Sequence, residues 1–467
     1  MKLNNRFLFS LFLFLIFNLF SLIFLGGCSK SGNGPDNDNT VTVSGKVTLE
    51  GESDHSGVTV SLYKPVELDT ALVRINQQYP GIGVQISQET EFDHRTQTPV
   101  ATTTTASDGS WSIDGVAKGT YNVVAEKEGW GWVTEYEQNI PNNSTYNLHL
   151  FPEQFITNDQ TIEVLPSQHL VVPNNMTLNQ TQTLILNGGS VVRFGPNVTL
   201  NIDGELKLQN PTDGYIFFIN DEVDSKWREV KISNQINEII KKLISKNASE
   251  GIKYFDSIVQ ITNSIFVDCN INVSRGNFSS IKNILIKNTT RGIGYSGCDS
   301  LSIEKNIFFS NEKGLVTSES SGELKNSYFY RNEVGVELEV SNFEIKNNNF
   351  EGNIIGFNNS SGSESMVFLN EFKNNDHAFQ VGIVGGRFEP PISTVNQNNF
   401  FNTNNFHLYL DNINVIQDID AQSNFFDSSS IQLIQQKIYD MNDNTNLKAV
   451  FDISNFSLNK IVNAGIQ

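Results

Sequence analysis

The chain has 467 residues, with 51 acidic against 32 basic side chains, a net charge of −19 and a pI near 4.7. A surface this acidic repels nucleic acid and anionic lipid headgroups, so a polyanion-binding role is disfavoured. The three cysteines, Cys28, Cys269 and Cys298, offer no CxxC or Cys/His zinc spacing.

The chain opens on Lys2 and Arg6 and then runs through Leu, Phe and Ile to "LGGC" at residues 25–28. A basic start before an apolar run reads as a secretory signal, and its length also admits a membrane anchor. "LGGC" resembles the lipobox of bacterial lipoproteins. That resemblance implies cleavage after residue 27, lipidation of Cys28 and anchoring through acyl chains. Ser29 rather than Asp after the cysteine implies, by the same family's sorting pattern, the outer membrane, facing either the cell surface or the periplasm. Residues 28–40 are Gly, Asn, Asp and Ser without periodicity, and predict a flexible tether. Their Asp/Asn cluster lacks the glutamate of an EF-hand loop, so calcium is supported by no motif and no cofactor is expected.

Residues 41–153 alternate in short β patterns, "VTVSGKVTL", "GVTVSLY" and "GTYNVVAEKEGW", bounded by Gly and Asp-Gly turns. Gly45-Lys46-Val47, Thr105 with Gly109 and Trp111, Gly119-Thr120-Tyr121 and Glu128-Gly129-Trp130 resemble the signature of carboxypeptidase regulatory-like domains, which are transthyretin-type β-sandwiches. Residues 64–98 depart from that pattern as a long polar insertion. Trp130 and Trp132 are candidate sugar-stacking residues, with edge or core packing as the alternative.

Residues 154–467 carry an internal repeat of about twenty-two residues. Asn288, Asn311, Asn332, Asn353, Asn375 and Asn404 mark it, and Cys269 takes the same slot one turn earlier. Leu285, Phe308, Phe329, Phe350, Phe372 and Phe401 stand three residues before them. Arg291, Gly314, Gly335, Gly356, Ala378 and His407 stand three residues after. Between these marks the chain alternates, as in "GVELEV" and "FEIK", which is strand periodicity. Short strands in a repeat of this length predict a parallel β-helix, roughly ten coils stacked at about 4.8 Å, whose equal slots form a structural ladder of Phe inside and Asn at αL corners. The segment resembles the right-handed parallel β-helix of the pectate-lyase-like superfamily. Residues 424–452 are similar to the closing segment common there, with Ile431, Ile434 and Ile438 on the face of a capping helix. Residues 234–247, "NQINEIIKKLISKN", predict an inserted amphipathic helix with Ile236, Ile239, Ile240 and Leu243 inward.

The superfamily's enzymes use carboxylate-bound calcium with an Arg or Lys base, or clustered aspartates, and neither constellation is recognisable here. Glu323 and Glu344, next to Lys325 and Lys346 on successive coils, form a ladder whose lysines suit a solvated ionic face more than an acid/base pair. Glu337 and Glu339, two apart on one strand, are candidate cation or ligand contacts. Asp376, His377, Arg387 and Glu389, around a long loop, form a candidate functional patch beside the alternative of a chance surface cluster. The expectation is an all-β, lipid-anchored envelope protein that binds a polysaccharide without catalysis. A polysaccharide lyase or glycoside hydrolase, and a purely structural envelope component, are the alternatives.

Overall fold

The computed structural model describes residues 39–157, 159–209, 214–234, 238–383 and 389–467, so the signal segment, Cys28 and most of the tether lie outside the described residues. Residues 41–467 form one compact unit. Its first part is two facing sheets. One orders Ala101–Thr104, Thr59–Tyr63, Gly119–Lys127 and Gly131–Ile140 antiparallel, and the other holds Ser110–Ala117, Thr40–Leu49 and Ser144–Leu150, the last two parallel. Period-2 alternation sends Val41, Val43, Val47 and Leu49 inward, where they meet Val60, Leu62, Trp111, Tyr121 and Val123 in one core.

The remainder is a parallel β-helix. Each complete coil contributes one strand to each of three faces. Among the described residues, sheet 1 runs over twelve strands from Gln154–Phe155 to Asn399–Phe401, and sheet 2 over twelve from Met176–Leu178 to Ile438–Tyr439. Sheet 3 comes in two pieces, three strands up to Glu205–Gln209 and then ten from Glu238–Lys241 to Phe451–Asp452. A representative coil is Ser321–Lys325, Tyr328–Tyr330 and Val334–Glu339, and it pairs in register with Asn342–Lys346, Asn349–Glu351 and Ile355–Asn359.

Stacking turns sequence slots into columns. Phe308, Phe329, Phe350, Phe372, Phe400 and Phe426 lie ring on ring, with centroids 4.4–5.1 Å apart. At the next corner the Nδ2 of Asn311, Asn332 and Asn353 each donates to the Oδ1 of the next asparagine at 2.9 Å, ending on Asn375. A second ladder, legible in the chain but not singled out from it, passes through Asn348, Asn370, Asn398 and Asn424 at 3.0 Å. A third column of small hydroxyls, Ser320, Ser341 and Ser363, accepts backbone N–H groups of the preceding coil.

Several expectations about the repeat are corrected by the structure. The αL residues are those just before the ladder positions, Asn326, Arg331 and Val340 in the representative coil with φ of 51°, 55° and 48°, and not the ladder asparagines. Pairing puts Ile286 rather than Leu285 beneath Phe308, so Thr289, not the exposed Asn288, holds the corner, and Gly292, not Arg291, faces Gly314. Phe400, not Phe401, continues the stack beyond Phe372, and Thr403 replaces Asn404 at its corner. The corrected glycine slot is tight because a Cβ on Gly335 would lie 2.4 Å from the Gly356 carbonyl oxygen and 3.3 Å from the Phe350 ring.

Residues 238–246 are strands, not a helix. Glu238–Lys241 pairs with Val259–Thr262, and Leu243–Lys246 with Ile265–Val267, because ladder pairing along a growing sheet outweighs a local 3.6-residue stripe. Ile240 and Leu243 are buried, Ile239 is exposed, and Ile236 lies outside the described residues. The capping helix is real but short, Ile431–Gln435 with Ile434 buried, while Ile438 joins sheet 2 as a strand. Cys269 and Cys298 are free buried thiols, and burial pushes that of Cys269 up to about 12.

The polar insertion at residues 64–98 hides an apolar stripe. Asp69 caps the helix Thr70–Gln78 by accepting from the N–H of Ala71 and Leu72. Its Leu72 and Ile75, with Ile82, Val84 and Ile86, cover Ile265, Leu285, Ile307 and Tyr328 on the outward face of sheet 1. Lys287 pairs with Glu91 at 2.6 Å and Lys246 donates to the Thr90 carbonyl at 2.6 Å, so the insertion clamps sandwich to solenoid.

Asn332 accepts from the N–H and Nδ2 of Asn311 and donates to the Phe308 carbonyl and to Asn353. Asn332→Ala removes all four bonds and leaves the buried Asn311 N–H without its acceptor, and a loss of about 3 kcal/mol is expected in urea unfolding. The exposed Asn342→Ala is expected to stay within about 0.5 kcal/mol.

Candidate functional site

The three outward faces differ in what covers them. Sheet 1 is buried under the insertion at one end and residues 461–467 at the other, where Asn399 bonds both backbone groups of Ile461 and Asn349 accepts from Ile466 N–H. Sheet 3 presents the ionic ladder. Glu323 lies beside Glu344 and Lys325 beside Lys346 on adjacent strands, so pairing runs mainly within each coil, with Lys325 to Glu323 at 2.6 Å and Lys346 bonded to Glu344. Its bond to Glu323 raises the Lys325 pKa above its ordinary value, which keeps the lysine charged.

Sheet 2 carries an open groove of about 520 Å³ across the strands Ala248–Phe255, Ile271–Ser274, Arg291–Ser296 and Lys313–Ser318. One outward column passes Lys253, Asn272, Gly294, Val316, Glu337, Asn358, Gln380, Tyr409 and Tyr439. Beside the groove, the side chains of Asn272 and Arg291 close over the backbone of Gly294. A Cβ there would lie 2.6 Å from Asn272 Oδ1 and 2.9 Å from the Arg291 side chain, which crosses the gap. Asn270 Nδ2 donates to Thr290 Oγ1 at 3.4 Å on one wall, and Lys253 and Lys313 stand at opposite ends of the groove.

The groove's lysines are already engaged. Glu229, with 1% side-chain exposure, lies 3.0 Å from both Lys231 and Lys253, and Glu250 is 2.9 Å from Lys253. Burial alone would raise the Glu229 pKa, but the two lysines outweigh it and hold the carboxyl below its usual range. Lys253 is likewise raised, its desolvation outweighed by Glu250 and Glu229. Neither group is poised to give or take a proton near neutral pH. Lys313 pairs with Glu337 at 2.7 Å.

Five strand spacings along the same column, about 24 Å from Gly294, the face becomes aromatic. His377, Phe406, Tyr409 and Tyr439 are half-buried, with Tyr409 5.1 Å from Tyr439, 5.4 Å from Phe406 and 4.4 Å from His377. His377 Nδ1 lies 3.3 Å from Gln380 Oε1.

The candidates read from the chain distribute unevenly over this frame. His377 joins the aromatic group, and Glu337 stands in the outward column as expected but is buried against Lys313. Glu339 is half-buried at the end of that strand. Asp376 accepts from Asn404 Nδ2 at 2.6 Å, and Glu389 lies by Gly362, beyond the far end of the strand His377–Val381, so the patch does not converge. Arg387 lies outside the described residues. Trp130 packs on the sandwich core, and Trp132 is wedged at the sandwich–solenoid junction, 4.4 Å from His169 with Arg95 and Arg193 over its ring. Burial and Arg193 push the His169 pKa down to about 3, so the junction holds it neutral. Among the described residues no group of three or more His, Cys, Asp or Glu is placed to hold a metal ion. Sequence reasoning missed Lys253, Arg291, Lys313, Phe406 and Tyr409. No local pattern marks the groove, because its lining comes from neighbouring coils brought side by side.

No protein-family model matches the chain, and no curated protein matches it in sequence. A solved structure similar to it is the A-module of mannuronan C-5 epimerase AlgE4 from Azotobacter vinelandii, at 13% identity and a TM-score of 0.26, over 54% of this chain and 87% of that one. A superposition that loose relates no residue here to a residue there.

Glu229 ties Lys231, Lys253 and, at 3.6 Å, Arg228 to one buried carboxylate. Its folded pKa is depressed, so its contribution to stability is full above the ordinary glutamate value and lost as pH falls through the folded one. Glu229→Gln is therefore expected to cost about 1–3 kcal/mol at pH 7 and to flatten the acid limb of a Tm-against-pH series below pH about 4.5.

Proposed function

We propose that this chain is a lipid-anchored envelope protein that binds a glycan along sheet 2 and leaves it intact. The observation that carries the reading is the half-buried cluster His377, Phe406, Tyr409 and Tyr439, which continues a polar groove on one uncovered face. Aromatic rings offer apolar surface to the C–H faces of a sugar, while amides and charged groups bond its hydroxyls. Anchoring rests on the lipobox-like "LGGC" ending at Cys28, and the outer-membrane assignment on Ser29. The carboxypeptidase regulatory-like sandwich is, in this reading, a rigid base for the solenoid.

One observation favours a polysaccharide lyase or hydrolase instead. Glu250, Lys253, Arg291, Glu312 and Lys313 converge on the same open groove. Against it stands the ionised state of Glu229 and Lys253, which removes an acid and a base from that end.

Residues 41–467 are a compact unit with their own cores, so a fragment starting at Ser29 retains the whole face. On a glycan array that fragment is expected to bind, and Tyr409→Ala to weaken binding about tenfold, the loss of one stacking contact of about 1–1.5 kcal/mol. Release of reducing ends or unsaturated products in a parallel assay would overturn the binding reading in favour of the enzyme. Silence in both assays would favour a structural component.

In the full chain, Cys28→Ser is expected to abolish incorporation of labelled fatty acid and shift the protein out of the membrane fraction. Unchanged labelling would sink the anchor.

A further inference from the structure

We infer that the open end of the ridge between sheet 3 and sheet 1 binds an uncharged, extended peptide segment through its backbone. This ridge lies apart from the groove and rings of sheet 2, so the site is independent of the glycan reading. The ridge is the column of residues Asn326, Asn347, Leu369, Gln397 and Ser423, all at positive φ of 51–59°, where successive coils turn from sheet 3 into sheet 1. Its first three positions already hold residues 461–467 by the main chain. Asn326 Oδ1 accepts from Gln467 N–H, and Asn347 Nδ2 donates to the carbonyls of Asn463 and Gly465. The Leu369 carbonyl accepts from Gly465 N–H. Beside them on sheet 1, Asn399 bonds both backbone groups of Ile461, at 2.8 and 2.9 Å. Such contacts recognise an extended backbone and tolerate many side chains.

The last two ridge positions, Gln397 and Ser423, border an open groove of about 480 Å³, walled on its far side by Asn455, Phe456 and residues 461–463. The side chains of Gln397, Ser423, Asn455 and Asn463 make no hydrogen bond to another described residue, so three amides and a hydroxyl face an incoming chain. A side-chain amide both donates and accepts, and can satisfy both halves of a peptide group. Asn399 does so for Ile461 in the wall of this same groove. Leu369, Ile461 and Val462 add aliphatic surface, with Val462 88% exposed. Branched aliphatic walls suit apolar side chains better than the flat face of a sugar, which favours an aromatic platform. Although the chain carries a net charge of −19, no ionisable side chain lines the groove, and neighbouring Lys460 is held by Glu371 at 2.9 Å. A buried charge on the ligand would therefore go unpaired. From Leu369 to Asn455 the groove crosses three coil steps, about 14 Å, the length of about four extended residues.

The probe is the blocked pentapeptide acetyl-Val-Asn-Val-Thr-Val-amide, titrated by calorimetry into the fragment from Ser29. It is expected to bind with an affinity that changes less than about threefold between about 50 and about 500 mM NaCl. Methylating its alternate backbone nitrogens is expected to weaken it about tenfold or more, and so is replacing its central valine by aspartate or lysine. Gln397→Leu and, separately, Asn455→Leu are expected to weaken the parent peptide about tenfold. Leucine already occupies the equivalent ridge position at 369, so Gln397→Leu is expected to fold. Asn463→Trp, an exposed position on the wall, is expected to fill the groove and abolish binding. No peptide binding, binding indifferent to all three variants, or binding that survives N-methylation overturns the inference. Binding of a neutral hexasaccharide (gluco-, manno- or xylo-) that is lost on these same variants also overturns it, by making the groove a sugar site.

Discussion

Every feature of the solenoid depends on one repeated interaction, the buried corner side chain of one coil bonding the backbone and side chain of the next. An asparagine such as Asn332 or Asn348 has two donors and an acceptor with two lone pairs, enough to satisfy a corner whose backbone would otherwise be orphaned. The corner bends because the residue before it adopts positive φ, even where that residue is Val340. Such strain, about 1–2 kcal/mol per residue, persists because the bonds beside it are buried on every side. The phenylalanine stack then fills the space that the corners enclose, and glycine next to it leaves room for the rings.

A rod built this way offers three periodic faces, and what becomes of each is decided by what lies on it. The insertion at residues 64–98 and residues 461–467 cover much of sheet 1. On sheet 3 the charged columns satisfy one another within each coil, as surface pairs worth little individually. Sheet 2 is left with a polar groove at one end and aromatic rings at the other, joined by a single column of side chains. The contrast along that column is the physical basis for reading it as a site: charged side chains are paired at one end, and apolar rings are half-exposed at the other.

The chemistry of the groove follows from burial as much as from residue type. Glu229 would be an attractive proton donor if burial alone acted on it. Two lysines at 3.0 Å reverse the outcome and make it a fixed anion. Lys253, held between Glu229 and Glu250, is correspondingly a fixed cation. Fixed, mutually satisfied charges shape and orient a ligand, whereas proton transfer needs groups near the edge of titration.

The period and chemistry of the repeat were legible in the chain, because a solenoid's contacts are between near neighbours in sequence and its slots recur. Phe308 through Asn375 could be placed from spacing alone. The same method slipped by one residue at Leu285 and at Phe401, where a β-branched residue or a second phenylalanine blurred the mark, and only strand register restored Ile286 and Phe400. A helical stripe at residues 234–247 was a true local signal that sheet growth overrode. The candidate site was legible only in fragments, His377 and Glu337, since Lys253, Arg291, Lys313 and Tyr409 belong to four different coils and no local pattern joins them. Sequence determined the coil, because the coil is local. Tertiary structure decided the site, because the register of stacked coils sets which side chains share a column, and the docking of the insertion and of residues 461–467 onto sheet 1 sets which face remains open.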